Sequence, residues 1–153
     1  IPHAKQMLDV YNQTGKSVVS LIEVDPKDST KYGMARISDQ INDKVFNVDE
    51  IVEKPGPEKT PSNYAVTGGY LLTPEIMPIV REEKIGHSGE IGISESVSDL
   101  AKKGMVVGKF IEGVYHDAGD KASYIRAVVD HALADPKLGP GLKDYILKRI
   151  NQS

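Results

Sequence analysis

The chain contains no cysteine, which excludes disulfides and thiolate-bound metal and agrees with a reducing, cytoplasmic setting. Long apolar runs are also missing. Stretches such as Tyr70-Leu71-Leu72 are far too short to span a bilayer, so no membrane association is expected. Nor is there an excess of positive charge: 19 Lys and Arg against 22 Asp and Glu leave a formal net charge of -3. The lysines are scattered among acids instead of gathered in a stripe, which sets nucleic-acid binding aside. The chain opens Ile1-Pro2-His3 without a methionine, and its first residues read as a helix already under way in a larger protein. The lack of a targeting segment therefore carries no information.

What is present describes an ordinary globular chain. Its 153 residues, 39% hydrophobic and 27% charged, suit a single domain over 1–153 with a sizeable core. Asn12-Gln13-Thr14 and Asn151-Gln152-Ser153 fit the glycosylation sequon, a short pattern that chance supplies often. Ala4, Met7, Leu8 and Tyr11 recur at helical spacing after Pro2 until Gly15. Ser17 to Val24 reads as a strand, Asp25 to Asp28 as a turn, and Tyr32 to Ile37 as a second extended run. Ser38 to Asp43 is expected to be a polar connector, followed by a strand from Lys44 to Val52. Pro55 to Asn63 is a loop, and Tyr64 to Leu72 a buried strand interrupted by Gly68-Gly69.

Thr73-Pro74-Glu75 has the form of a helix start, with Thr73 as cap and Ile76, Ile79 and Val80 as the apolar face. Lys84 to Gly89 is loop. Ile93, Val97 and Leu100 mark a helix from Ile91 to Lys103 that stops at Gly104, and Met105 to Ile111 is a strand. The polar segment His116 to Asp120 leads to a helix carrying Tyr124, Val128 and Leu133 on one side. A last helix runs from Leu142 to Ile150 after Gly139-Pro140-Gly141. Alternating strands and helices without an internal repeat predict an α/β fold with a mixed sheet and flanking helices.

One stretch carries chemistry on its face. Val52-Glu53-Lys54-Pro55 sets a carboxylate beside an ammonium at a strand end that a proline closes. Alternation along a strand would send the two side chains to opposite faces. Taken alone, the pair reads first as two solvated surface charges at a strand end.

Its companions change that reading. Val52 to Pro55, then Ser62-Asn63-Tyr64-Ala65 with Gly68 and Tyr70, then Gly89-Glu90-Ile91, then His116 to Lys121 with Tyr124, keep the order and approximate spacing of a known family. Together they resemble the sugar nucleotidylyltransferases. Lys5-Gln6-Met7, Val10-Tyr11, Thr14-Gly15 and Lys31-Tyr32-Gly33 are similar to the bacterial branch that makes UDP-glucose from UTP and glucose 1-phosphate. The resemblance covers nearly the whole chain. It implies the C-terminal, sugar-phosphate-binding portion of a Rossmann-like nucleotidylyltransferase fold. The family's Gly-rich triphosphate loop, its uridine-selecting part and its first metal-binding aspartate are not in these residues.

The resemblance also implies roles. Glu53 would accept hydrogen bonds from sugar hydroxyls and Lys54 would pair with phosphate oxygens, which suits a two-oxygen acceptor and a mobile point charge. Gly68 would let the sugar approach the strand, or else mark a bulge. Gly69 stands where the family often has a side chain, and leaves extra room or is simply tolerated. Asn63 would donate to the sugar or hold its loop by an Asx-turn. Glu90 would lie near the sugar, although Gly92 and Glu95 depart from the residues common at those positions. Asp117 would bind Mg²⁺ together with the aspartate that is not in this sequence; its structural alternative is a helix cap, a role that suits Asp120 better. His116 reads as a packing or hydrogen-bonding neighbour, and Lys121 as a phosphate contact or a first-turn residue. No covalent nucleophile is legible, and the family's chemistry needs none.

The implied reaction is transfer of a uridylyl group to glucose 1-phosphate by a homo-oligomeric enzyme, with this chain inactive alone. The alternatives are a thymidylyl- or adenylyltransferase of the same family, or a non-catalytic sugar-phosphate-binding module.

Overall fold

The computed structural model describes residues 1–82, 85, 89 and 91–152. The chain divides into two compact units, Ile1–Glu112 and Gly113–Ser153.

The first unit is built on five strands: β1 (Ser17–Glu23), β2 (Gly33–Asn42), β3 (Val45–Glu53), β4 (Tyr64–Leu71) and β5 (Val106–Phe110). They join in the order β1-β4-β2-β3-β5, and β5 returns to β1, so the sheet closes on itself. The β1/β5 pair is parallel and the others antiparallel, which makes the sheet mixed. Alternation along β1 explains how both of its faces are used. Val18 packs with Met7 and Val10 of α1 (His3–Thr14), whereas Val19 and Leu21 face the core formed with Val97 and Leu100 of α3 (Ile93–Lys102). A strand covered on both sides is buried along nearly its whole length, and β1 is buried from Ser17 to Leu21, with the hydroxyls of Ser17 and Ser20 hydrogen-bonded. The short helix α2 (Ile76–Val80) adds Ile76 and Ile79 to the same core.

Several boundaries differ from those predicted, three of them with a legible cause. Ser38 to Asp43 is no connector: β2 runs on to Asn42, paired through Ile37 with Val48, Gln40 with Phe46 and Asn42 with Val45. Backbone pairing holds these polar residues extended without burying them, and the side chain of Asn42 accepts the Lys44 N–H at 3.1 Å in the turn. Thr73 does not cap a helix at Pro74. Its N–H and hydroxyl are both taken by Ser17 Oγ, at 3.0 and 3.1 Å, and α2 starts only at Ile76. The last helix, α5 (Gly139–Ile150), begins three residues earlier than Leu142, because Pro140 is tolerated in a first turn, where no N–H is needed.

A buried serine ties the α3 layer to the sheet. Ser98 Oγ accepts the N–H of Ile51 at 2.9 Å, beside a register shift in the β2/β3 pairing. Ser98→Ala leaves that buried N–H without this partner, and is expected to destabilise the fold by about 1–3 kcal/mol in urea unfolding. A variant within a few tenths of a kcal/mol of the parent would show that the bond is replaceable.

The second unit holds α4 (Lys121–Ala134) and α5. Asp120 caps α4, its carboxylate accepting the Ser123 N–H at 2.8 Å. Tyr124, Val128 and Leu133 do not form a buried stripe: they are 55%, 51% and 40% exposed, and no residue of α4 is buried. Apolar spacing set the helix, but a pair of helices has too little surface to enclose its own core. No helix among the described residues is long and apolar enough to cross a membrane.

Candidate active site

The rim of the sheet near the end of β3 is where the charged tetrapeptide falls. Gly33 of β2 pairs with both Glu53 of β3 and Val66 of β4, so the end of β3 and the stretch of β4 beyond Val66, which contains Gly68, reach the same edge. Asn63 precedes β4 and lies toward the opposite end of that strand, five residues or about 16 Å of extended chain from Gly68. Glu53 and Lys54 thus share an edge of the sheet with Gly68, and Asn63 lies toward the other edge.

Strict alternation would have separated Glu53 from Lys54, but the backbone does otherwise. Lys54 has φ of 44°, a left-handed conformation that a non-glycine residue adopts at a cost of roughly 1–2 kcal/mol. Its N–H donates to the Tyr32 carbonyl at 3.1 Å, which holds the bend, and its Nζ comes to 3.6 Å from Glu53 Oε1. Backbone strain of this kind collects where function needs a particular geometry.

These two residues line a cleft of about 400 Å³, together with Pro55, Lys59, Ser94, Glu95, Asp99 and Lys102. That volume suits a small ligand. The lining alternates carboxylates, which accept from hydroxyls, with ammonium groups, which attract phosphate. On the wall formed by α3, Lys102 lies 3.4 Å from Glu50 and 3.9 Å from Asp99, an exposed network that adds little to stability. Tyr70 belongs to the same neighbourhood. Burial pushes its hydroxyl above the ordinary tyrosine range and the Glu53 and Glu95 carboxylates add to this, while a hydrogen bond with Ser94 opposes it. Lys59, Ser94 and Glu95 were not chosen from the sequence. The signal available for Glu95 was its place in the first turn of a helix that comes directly after a motif.

Gly68 has φ of 77° and open space where a side chain would stand, at the register shift between β4 and β1. Gly69 leaves no extra room: a Cβ there would collide with the His3 ring and Ser20 Oγ. The turn role weighed for Asn63 is filled by its neighbour, since Ser62 Oγ donates to the Ala35 carbonyl at 2.5 Å and accepts the Tyr64 N–H at 3.0 Å. Asn63 itself is exposed, and its carbonyl accepts from Val24 N–H. Glu90 lies outside the described residues, as does most of the loop expected from Lys84 to Gly89.

In the second unit, Asp117 sits in a tight turn. Its Oδ1 accepts the Gly119 N–H at 2.9 Å, and its own N–H donates to Ser123 Oγ at 2.9 Å. The turn holds the carboxylate in a set direction while its second oxygen does not take part in that bond. No group of three or more His, Asp or Glu residues that could hold a metal occurs among the described residues. One carboxylate is nevertheless what magnesium sites often take from a protein, phosphate oxygens and water supplying the rest, so Asp117 fits as a single ligand. His116 is engaged by Asp130, at 3.2 Å from Nε2, in keeping with a hydrogen-bonding neighbour.

A carboxylate and an ammonium at the sheet edge thus line a small cleft in a mixed α/β fold. The chain belongs to the nucleotidyl transferase family, whose model matches residues 2–132. It is 32% identical over 148 residues to the UTP–glucose-1-phosphate uridylyltransferase of Streptococcus pneumoniae serotype 4, covering 97% of this chain and 50% of that protein. Among solved structures, a UDP-glucose pyrophosphorylase complexed with UDP-glucose superposes with a TM-score of 0.78 at 35% identity, over 83% of this chain and 48% of the other. The UTP-bound enzyme from Acinetobacter baumannii gives a TM-score of 0.80 at 28% identity, over 93% and 48%. The chain therefore has the nucleotidyltransferase fold and spans about half the length of these relatives.

Proposed function

We propose that this chain is the sugar-phosphate-binding part of a uridylyltransferase that makes UDP-glucose. The observation that carries the reading is the left-handed bend at Lys54, which sets an ammonium beside the Glu53 carboxylate at the mouth of the cleft. In the reaction a phosphate oxygen of glucose 1-phosphate attacks the α-phosphorus of UTP. The new P–O bond forms as the bond to the β-phosphate breaks, and pyrophosphate leaves with both electrons of that bond. Glu53 accepts hydrogen bonds from neighbouring sugar hydroxyls and thereby orients the nucleophile. Lys54 offsets the charge of the sugar phosphate, so that one anion can approach another. Asp117 would hold Mg²⁺, whose contribution when bound is to neutralise phosphate charge. Homo-oligomerisation belongs to the same reading and is checked by light scattering.

The test is a pyrophosphate-release assay on the longer protein that this reading requires, with glucose 1-phosphate and UTP, dTTP or ATP in turn. UTP is expected to be preferred by about 10²-fold or more in kcat/KM, as a site that hydrogen-bonds the base would achieve. Preference for dTTP or ATP would move the protein to another branch of the family, and no turnover with any of them would favour a binding module. The 153-residue chain alone is expected to give no turnover, and robust UDP-glucose synthesis by it would overturn the reading of it as a part.

A further inference from the structure

Gly33 opens β2 where that strand meets both neighbours, and it is buried. Its backbone does not require glycine, because it is not among the residues of positive φ. The missing side chain has another cause. A Cβ at Gly33 would lie 2.9 Å from Glu53 Oε2 and 3.2 Å from Ile51 Cγ2, so the carboxylate of its cross-strand partner occupies the volume a side chain would need.

We infer that Gly33 is a positioning residue: by having no Cβ it lets the Glu53 carboxylate lie across β2, and so fixes which hydroxyls of a sugar phosphate that carboxylate can reach. The inference rests on the reading of Glu53 as a hydroxyl acceptor. Its consequence is separable from folding. The obstructed atom is the end of a flexible side chain, so Gly33→Ala is accommodated by rotating Glu53, while Ile51 gives by a few tenths of an ångström. Rotation also removes Oε1 from its place beside Lys54 Nζ, so one methyl group disturbs both charged groups of the cleft mouth.

The experiment joins a structure to a double-mutant cycle. Crystal structures of the parent and Gly33→Ala are expected to differ by about 1 Å or more at the Glu53 carboxylate, a displacement large enough to matter for binding geometry. Affinity for glucose 1-phosphate, measured by titration, is expected to fall about tenfold in Gly33→Ala, with a melting temperature within about 3 °C of the parent. In a Glu53→Ala background, where no side-chain end remains to be displaced, the same change should cost nothing further. A carboxylate that stays in place overturns the inference, as does a loss that persists undiminished in the Glu53→Ala background. If Glu53→Ala binds glucose 1-phosphate like the parent, the role given to Glu53 fails, and the crystallographic comparison still decides whether Gly33 positions it.

Discussion

Replacing Lys54 by glycine is expected to weaken binding of glucose 1-phosphate by about 10–100-fold without weakening the fold, because a charge-assisted contact to phosphate contributes about 1.5–3 kcal/mol. The two effects have separate origins. Lys54 occupies a left-handed backbone conformation that costs a residue with a Cβ roughly 1–2 kcal/mol, and glycine adopts it without that cost. Glycine gives back about 0.5–1 kcal/mol through the greater freedom of the unfolded chain, which leaves a net gain near 0.5–1 kcal/mol. Lys54→Ala is the control. It removes the same charge but keeps the strain, so it should bind as poorly as Lys54→Gly while unfolding at a lower urea concentration. Equal stability of the two variants would mean that the bend stores no strain; parent-like affinity in both would remove Lys54 from phosphate binding.

That prediction could not have been framed from the sequence, although the residue was found there. Regular spacing made the elements of the first unit legible, since β1, α1 and α3 are long, periodic and buried on known faces. The family-like order of motifs marked Glu53, Lys54, Gly68 and Asp117. Strand alternation, however, placed Glu53 and Lys54 on opposite faces, and only the backbone bend at Lys54 reverses this. The closure of the sheet was equally hidden, because strand partners far apart in sequence leave no local trace: β1 meets β5 some 90 residues later. The mostly polar residues 38–42 misled for a related reason. Their extended form comes from hydrogen bonds to β3, a tertiary effect that overrides composition. The misplaced start of α2 has the same origin, as Thr73 is tied through its N–H and hydroxyl to Ser17, 56 positions earlier.

Asp117 offers a sharper division between a structural and a chemical role than any other position, because a single isosteric change separates them. The side chain has two tasks to compare: its Oδ1 accepts the Gly119 N–H and shapes the turn before α4, and its charge is available to a cation. Asp117→Asn keeps an oxygen acceptor for Gly119 and removes the charge, whereas Asp117→Ala removes both. A residue that only shapes the turn would make asparagine nearly silent and alanine damaging. A cation ligand would make both variants lose turnover alike. In the longer enzyme, both are expected to lower kcat by about 10²-fold, the usual size of losing one charge-stabilising contact in the transition state. The asparagine variant is expected to keep its melting temperature, since Asp120 still caps α4 through the Ser123 N–H and the turn retains its bond. Raising the magnesium concentration should recover part of the activity of either variant, because weaker coordination is offset by mass action. Undiminished turnover in Asp117→Asn would remove the carboxylate's charge from the mechanism and leave Asp117 as a turn residue alone.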